Sequence, residues 1–436
     1  MIDHRGTEIL RRQKTGLFRL LCASVTLWLV PSSSAAAADW LLARAYKLPS
    51  EYTNQESGYF SIVEGHNSKL YIGAAKYGVD AYLLEFDPKT EKTRMAIDVH
   101  QVIGSKATGF AAQAKIHTRN NVGTVTGKIY VGSKQGYPEK GESRDLYQGG
   151  YVLTHDPATG KNEHFGIPKA GDGVISVMPD EENGLCYVST CSDDRPIDHT
   201  HFMVLDLKTK KYTDLGDMEH AYAFIVLDEE HRAIHPVRGG MVARYDPKTK
   251  TLDKLSMTVD GKPVPKELSK EGAIQNWDAT ADRKTLYCVE LFTNQLYRFD
   301  LTAAGDALPG TSLGKLLPAA KATDCRALAV GPDGTVWMAV TEQGRPEGAL
   351  THLISFSPGD TAPKDHGPVG IKNPDYVSLT GPDGKPKPWH HTLRKEKDGT
   401  LTPWQPLGIA AARDGTPYVL TLAPFTLLRF EQFTKR

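Results

Sequence analysis

Histidine, tyrosine, lysine and arginine are concentrated in this chain at the starts of strand-like runs and in the loops after them. These side chains can move a proton next to a carboxylate. Gln113-Ala-Lys115-Ile-His117-Thr-Arg119-Asn120 places polar groups at alternate positions where an inner strand should be apolar. The loop after Gly127-Lys-Ile-Tyr-Val-Gly132 carries Lys134, Tyr137, Arg144 and Tyr147. Removing a carbon-bound proton beside a carboxylate requires that the carboxylate be neutralised by cations. A His or Tyr must then take the proton, and a second such group must return one to the departing oxygen. His117 or His220 suits the base, and Tyr147 or Tyr137 the acid or second base. Arg144, Arg195 and Arg238 suit the carboxylate, with Lys115 and Lys134 adding charge, while Trp277 and Trp404 offer aromatic faces to a ring-shaped ligand.

Other chemistries lack their residues. The chain has no Gly-rich phosphate loop and no His-Glu-x-x-His. The same set of loops is poor in carboxylates beyond Asp193, Asp194 and Glu342, which does not suit a glycosidase built on a facing carboxylate pair. With 52 Lys+Arg against 52 Asp+Glu there is no bulk positive field for nucleic acid, so any charge complementarity is local.

The elements that position these groups are short strands in a repeat. One phrase recurs in Tyr82-Leu-Leu-Glu-Phe-Asp-Pro-Lys-Thr90, Val152-Leu-Thr-His-Asp-Pro-Ala-Thr159, Phe202-Met-Val-Leu-Asp-Leu-Lys-Thr209 and Val242-Ala-Arg-Tyr-Asp-Pro-Lys-Thr249, and more loosely at Leu296, Leu353 and Thr426. Each copy follows another strand-like run such as Leu70-Tyr-Ile-Gly or Ile129-Tyr-Val-Gly, often with an Asp-Gly-Thr turn ahead of that. Repeats at this spacing predict an all-β fold, a seven-bladed β-propeller of four-stranded antiparallel blades. The run Tyr59–Val63 is expected to close the ring with the carboxy-terminal strands. Residues 367–403, rich in turn dipeptides, are expected to form an inserted hairpin. In such a ring the long loops converge on one face around the central channel, where loop-borne function is expected.

Residues 1–38 read as a secretory signal: Arg11-Arg12-Gln13-Lys14, an apolar run from Leu17 to Val30, then small residues to Ala38. The expectation is a single exported domain over 39–436, periplasmic or extracellular, with no membrane span. Its cysteines, Cys186, Cys191, Cys288 and Cys325, have no metal-type spacing, and their pairing is not readable.

An exported propeller with His, Tyr and Arg converging on one face resembles the propeller polysaccharide lyases of the oligogalacturonate, ulvan and rhamnose-glucuronate types. That resemblance implies β-elimination on an acidic oligo- or polysaccharide. It also implies a divalent metal, manganese or calcium, for which His199, His201 and His235 are the candidate ligands. The chain is also similar to uncharacterised exported propellers that share Asp-Pro-x-Thr-Gly blade turns and Tyr147-Gln-Gly-Gly150. Two other readings stay open, a non-catalytic propeller that binds glycan or protein and a lactonase-like propeller enzyme.

Overall fold

The computed structural model describes residues 39–436 except 55–56, 193–198, 221–223, 272, 388–392 and 436. Residues 1–38, expected to be a secretory signal, and Arg195 therefore lie outside the described residues.

The recurring phrase folds because its aspartate organises the turn. In Asp206-Leu-Lys-Thr-Lys210 the Asp206 carboxylate accepts the backbone N–H groups of Lys208 (3.0 Å) and Thr209 (2.7 Å), and Lys210 N–H returns to Asp206 O at 2.8 Å. Lys210 takes a left-handed backbone with φ of 57° to complete the reversal. The same 2.8 Å closure joins Glu91 to Asp87, Gly160 to Asp156 and Lys250 to Asp246. A side chain mimicking a backbone acceptor thus sets the register of each outer hairpin. Asp333 and Asp414 do the same for the inner hairpins, each accepting the N–H of a threonine two residues on (3.0 and 2.9 Å) with a left-handed glycine between.

These turns join strands into antiparallel meanders. One stands alone as a four-stranded sheet: Gly173–Asp180, Leu185–Cys191, His201–Asp206 and Lys211–Asp217. Elsewhere hydrogen bonds run on from one meander to the next. The strand Thr251–Val259 pairs in parallel with Ala307–Lys315, and Leu41–Lys47 pairs in parallel with Lys364–Ile371. Lys115–Ile116 pairs antiparallel with both Leu70–Lys76 and Ile129–Lys134, and with these links the sheets contain eight or nine strands, where the sequence predicted separate sheets of four.

The carboxy-terminal strands pair with a different segment from the one expected. Leu41–Lys47 pairs antiparallel with Thr426–Arg429, with Arg44 opposite Arg429 and Lys47 opposite Thr426. Its alternate residues Ala43 and Ala45 are small enough to be buried completely between neighbouring strands. The strand Ser57–Glu64, which contains Tyr59–Val63, pairs instead with Leu70–Lys76. Within 367–403, residues 367–371 complete the strand Lys364–Ile371, and a two-stranded hairpin joins Arg394–Lys395 to Leu401–Thr402.

Aromatic and branched side chains fill the space between meanders. Tyr187 packs on Phe202 and Tyr245 with ring centroids 6.3 and 6.0 Å apart, a geometry that adds about 0.5–1.5 kcal/mol per pair beyond area burial. All four cysteines from Cys186 onward are buried and free.

Candidate functional site

The first strands of several meanders touch one another around a common axis. Phe60 stacks parallel to the His117 ring at 6.0 Å and meets Phe224 edge-on at 4.9 Å. Arg119 forms an ion pair with Asp278 and donates to the Trp277 carbonyl. Gln405 Nε2 reaches Asp324 at 3.5 Å. These strands begin at the long-loop face and run towards the short Asp-Gly turns. Residues early in each strand therefore sit at the long-loop mouth, and later ones lie deeper.

At that mouth Lys115 and Lys134 are register partners on adjacent antiparallel strands, and each is 3% exposed. Like charges placed directly opposite on adjacent strands repel. Each ammonium has surroundings that moderate it. Lys115 Nζ lies over the Tyr77 ring at 5.1 Å and the Tyr137 ring at 4.6 Å, inside cation–π range. Lys134 Nζ donates to Cys191 Sγ at 3.0 Å.

His117 is buried behind the lysines. Burial first, then the charges of Lys115, Lys134 and Arg326, hold its imidazole well below the ordinary range, so it is neutral at pH 7. The nearby carboxylates are engaged. Asp324 takes Arg326 Nε at 2.9 and 3.0 Å, and Asp172 takes Thr190 Oγ1 at 2.7 Å. Burial nevertheless pushes both carboxyls up. The result is a cationic pocket with one neutral imidazole and two tyrosine rings at its edge, chemically suited to a carboxylate.

The other candidates are distributed as follows. Tyr147 is buried, and its hydroxyl donates to Gln113 Oε1 at 3.1 Å; Ser133 Oγ donates to the same oxygen at 2.6 Å. It therefore braces the mouth from behind. Arg144 is exposed, in the short 3-10 helix Arg144–Leu146. Arg238 bridges Glu219 (3.4 Å) and Glu271 (3.1 Å). Trp404 is half-buried at the start of the strand Trp404–Ala411. Trp277 offers no face to a sugar: it is fully buried in a core cluster, and its indole N–H donates to Phe224 O at 2.7 Å.

The histidines proposed as metal ligands are held separately. His199 Nδ1 meets Asp217 at 2.5 Å and His201 Nδ1 meets Asp214 at 2.8 Å. His235 is buried, donates from Nδ1 to Pro236 O (2.7 Å) and accepts Ser189 Oγ at Nε2 (2.9 Å). His220 is also buried, close enough to His235 for its charge to lower the latter's pKa. Among the described residues no group of three His, Cys, Asp or Glu side chains is placed to hold a metal ion. Absent from the sequence reading were the Phe60 and Phe224 walls and the Asp172 and Asp324 carboxyls. Apolar strand residues and a lone aspartate give no signal of proximity to an axis.

Inner strands gathered about one axis, each opening an antiparallel meander, define a β-propeller. Solved structures agree. The Swd1 β-propeller domain of Myceliophteria thermophila is similar with a TM-score of 0.50 at 12% identity, over 86% of this chain and 96% of that one. The extracellular domain of a hybrid two component system from B. thetaiotaomicron gives 0.52 at 10% identity over 89% of this chain, which spans 39% of that structure's length. A structure of the mitotic checkpoint complex gives 0.51 at 8% identity, over 96% and 98% of the two chains. At such identities the likeness is one of fold, and none of the three is described as a lyase. No known family profile and no curated protein matches the sequence. Among the described residues no helix is long and apolar enough to cross a membrane.

Proposed function

We propose that this chain is an exported propeller of seven four-stranded blades that binds an acidic oligo- or polysaccharide through a uronate carboxylate at the long-loop mouth of its channel. The observation that carries the reading is the buried, register-paired Lys115 and Lys134. A carboxylate bound beside either ammonium accepts a charge-assisted hydrogen bond worth roughly 1.5–3 kcal/mol net. Neutral His117 can donate to the same ligand without adding to the repulsion. Binding of galacturonate and glucuronate oligomers, measured by calorimetry against their neutral counterparts, tests it. Retention of acidic but not neutral oligomers, lost in Lys134→Met, is expected. Equal affinity for both classes, or none for either, would sink the idea.

One further observation favours a lyase as the second reading. The Tyr137 ring lies 4.6 Å from the Lys115 ammonium, which puts a phenol beside the cation that would neutralise the carboxylate. Tyr137 and His117 would then divide the acid and base roles of a β-elimination. An ultraviolet assay for unsaturated uronate, run on the wild type and on His117→Ala, separates the two. Product formed by the wild type and lost in the variant supports elimination, and binding with no product supports the binding protein.

A further inference from the structure

Among the inner strands lies a cavity of about 310 Å3, bordered on one side by the short inner turns at Gly331-Pro332 and Arg413. Asn120 and Asn276 line it, 2% and 1% exposed, and among the described residues the amide Nδ2 of each has no hydrogen-bond partner. For Asn120 the amide orientation is fixed by its other end: Oδ1 accepts from Ser61 Oγ at 2.9 Å and from Thr118 Oγ1 at 3.0 Å. A buried donor left unsatisfied costs about 1–3 kcal/mol, so two at one cavity require an acceptor from outside the fold.

The fold has little acceptor capacity left here. Asp278 takes Arg119 and the Val330 N–H (2.9 Å), and Glu64 takes the Arg413 N–H (2.8 Å), with burial pushing its carboxyl up. Arg326, a further lining residue, keeps Nε on Asp324. Phe60 and Phe224 supply apolar wall. The cavity is thus rich in donors and bounded by aromatic surface, and its volume lies at the small end of the roughly 300–1,000 Å3 typical of ligand pockets.

We propose that this cavity is a second binding site, independent of the lysine mouth, for a small organic monocarboxylate with an apolar body. Its two oxygens accept from Asn120 Nδ2 and Asn276 Nδ2, and its chain or ring packs on Phe60 and Phe224. The alternative occupant is water, which satisfies donors without selecting a ligand.

Calorimetry of the purified full chain with benzoate and hexanoate as probes, and benzamide as the neutral twin of benzoate, tests the assignment. One-to-one binding of at least one carboxylate is expected, with benzamide at least tenfold weaker. Asn276→Asp and Asn120→Asp replace a donor by an acceptor of the same shape, and each should weaken carboxylate binding tenfold or more. The second variant keeps the acceptor for Ser61 and Thr118. Melting curves recorded in parallel show whether either variant has lost its fold, and in that event Asn276→Ser replaces it. Lys134→Met should leave this binding intact while weakening that of uronate oligomers at least tenfold, so the two sites fail separately. Binding of neither carboxylate to cooperatively melting wild type, equal binding of benzamide, or full affinity in the folded Asn variants would overturn the proposal and leave water as the occupant.

Discussion

Lys115 and Lys134 face each other as register partners across two adjacent strands, both buried and both flanked by the neutral imidazole of His117. Replacing one member by an apolar residue of similar length removes the repulsion between like charges directly opposite on adjacent strands. Lys134→Met should therefore melt higher than wild type in the absence of ligand, by roughly 1 kcal/mol after allowing for the lost bond to Cys191. The same variant should bind uronate oligomers at least tenfold more weakly. Denaturant unfolding and calorimetry on one preparation check both halves. A variant both less stable and unchanged in binding would show the lysines to be structural.

The outer turns give a prediction that does not depend on function. Lys250 and Gly160 occupy equivalent left-handed positions, with φ of 59° and 74°. Lys250 is exposed, and a Cβ at Gly160 would meet nothing within 4 Å, so the difference between the residues is one of backbone alone. A left-handed conformation costs an L-residue about 1–2 kcal/mol, partly offset by the extra unfolded-state freedom of glycine. Lys250→Gly should stabilise by about 0.5–1 kcal/mol and Gly160→Ala should destabilise by a similar amount. Urea midpoints with unchanged slopes are the readout.

Those turns are also where the sequence was most legible. An aspartate three residues before a threonine, after alternating apolar positions, writes its hydrogen bonds into local sequence. The strand Leu41–Lys47 has no such phrase, because it belongs to a meander completed from the far end of the chain, and only long-range pairing reveals it. Strand alternation explains the misreading of Trp277. Asn276 and Asp278 line the cavity, so Trp277 between them must point into the sheet interface, where its indole anchors Phe224. Gln113, Lys115 and His117 were legible for the same reason, sharing one parity on an otherwise apolar run. Which carboxylates face them was not, since Asp172 and Asp324 come from other meanders.

Asp80 should give stability an unusual pH dependence. Burial, then a hydrogen bond shared with the Asp98 carboxyl, raises its pKa to about 8. A raised folded value means that between about pH 4 and 8 the unfolded chain releases a proton the native state keeps. Stability therefore falls as pH rises through that window, by up to about 1.4 kcal/mol per unit. Asn can replace the protonated acid, since its Oδ1 still accepts the Ala81 and His100 N–H groups and its amide can donate to Asp98. Asp80→Asn should match wild type near pH 4 and exceed it at pH 9. Parallel curves for the two proteins across that range would show that Asp80 is ionised in the fold.

His235 should act in the opposite sense. Burial lowers its pKa to about 3, opposed by the bond to the Pro236 carbonyl. Above the unfolded value of roughly 6.5 the ring is neutral in both states and contributes no slope. Between about 6.5 and 3 the unfolded chain takes up a proton that the native ring refuses, so stability falls as pH falls, again by up to about 1.4 kcal/mol per unit. Because this slope and that of Asp80 oppose each other over part of the range, total stability conceals both, and each must be measured as a difference between variant and wild type. His235→Gln loses packing against Phe202 and should be weaker at pH 7, but its acid limb should be shallower, so the two curves approach one another towards pH 4. What remains of the limb in that variant should include His117, which is depressed by burial and by three cations. Combining His235→Gln with Lys134→Met relieves one of those cations and should flatten the limb further. An acid limb unchanged by His235→Gln would mean that this ring titrates normally and that its buried hydrogen bonds open readily on protonation.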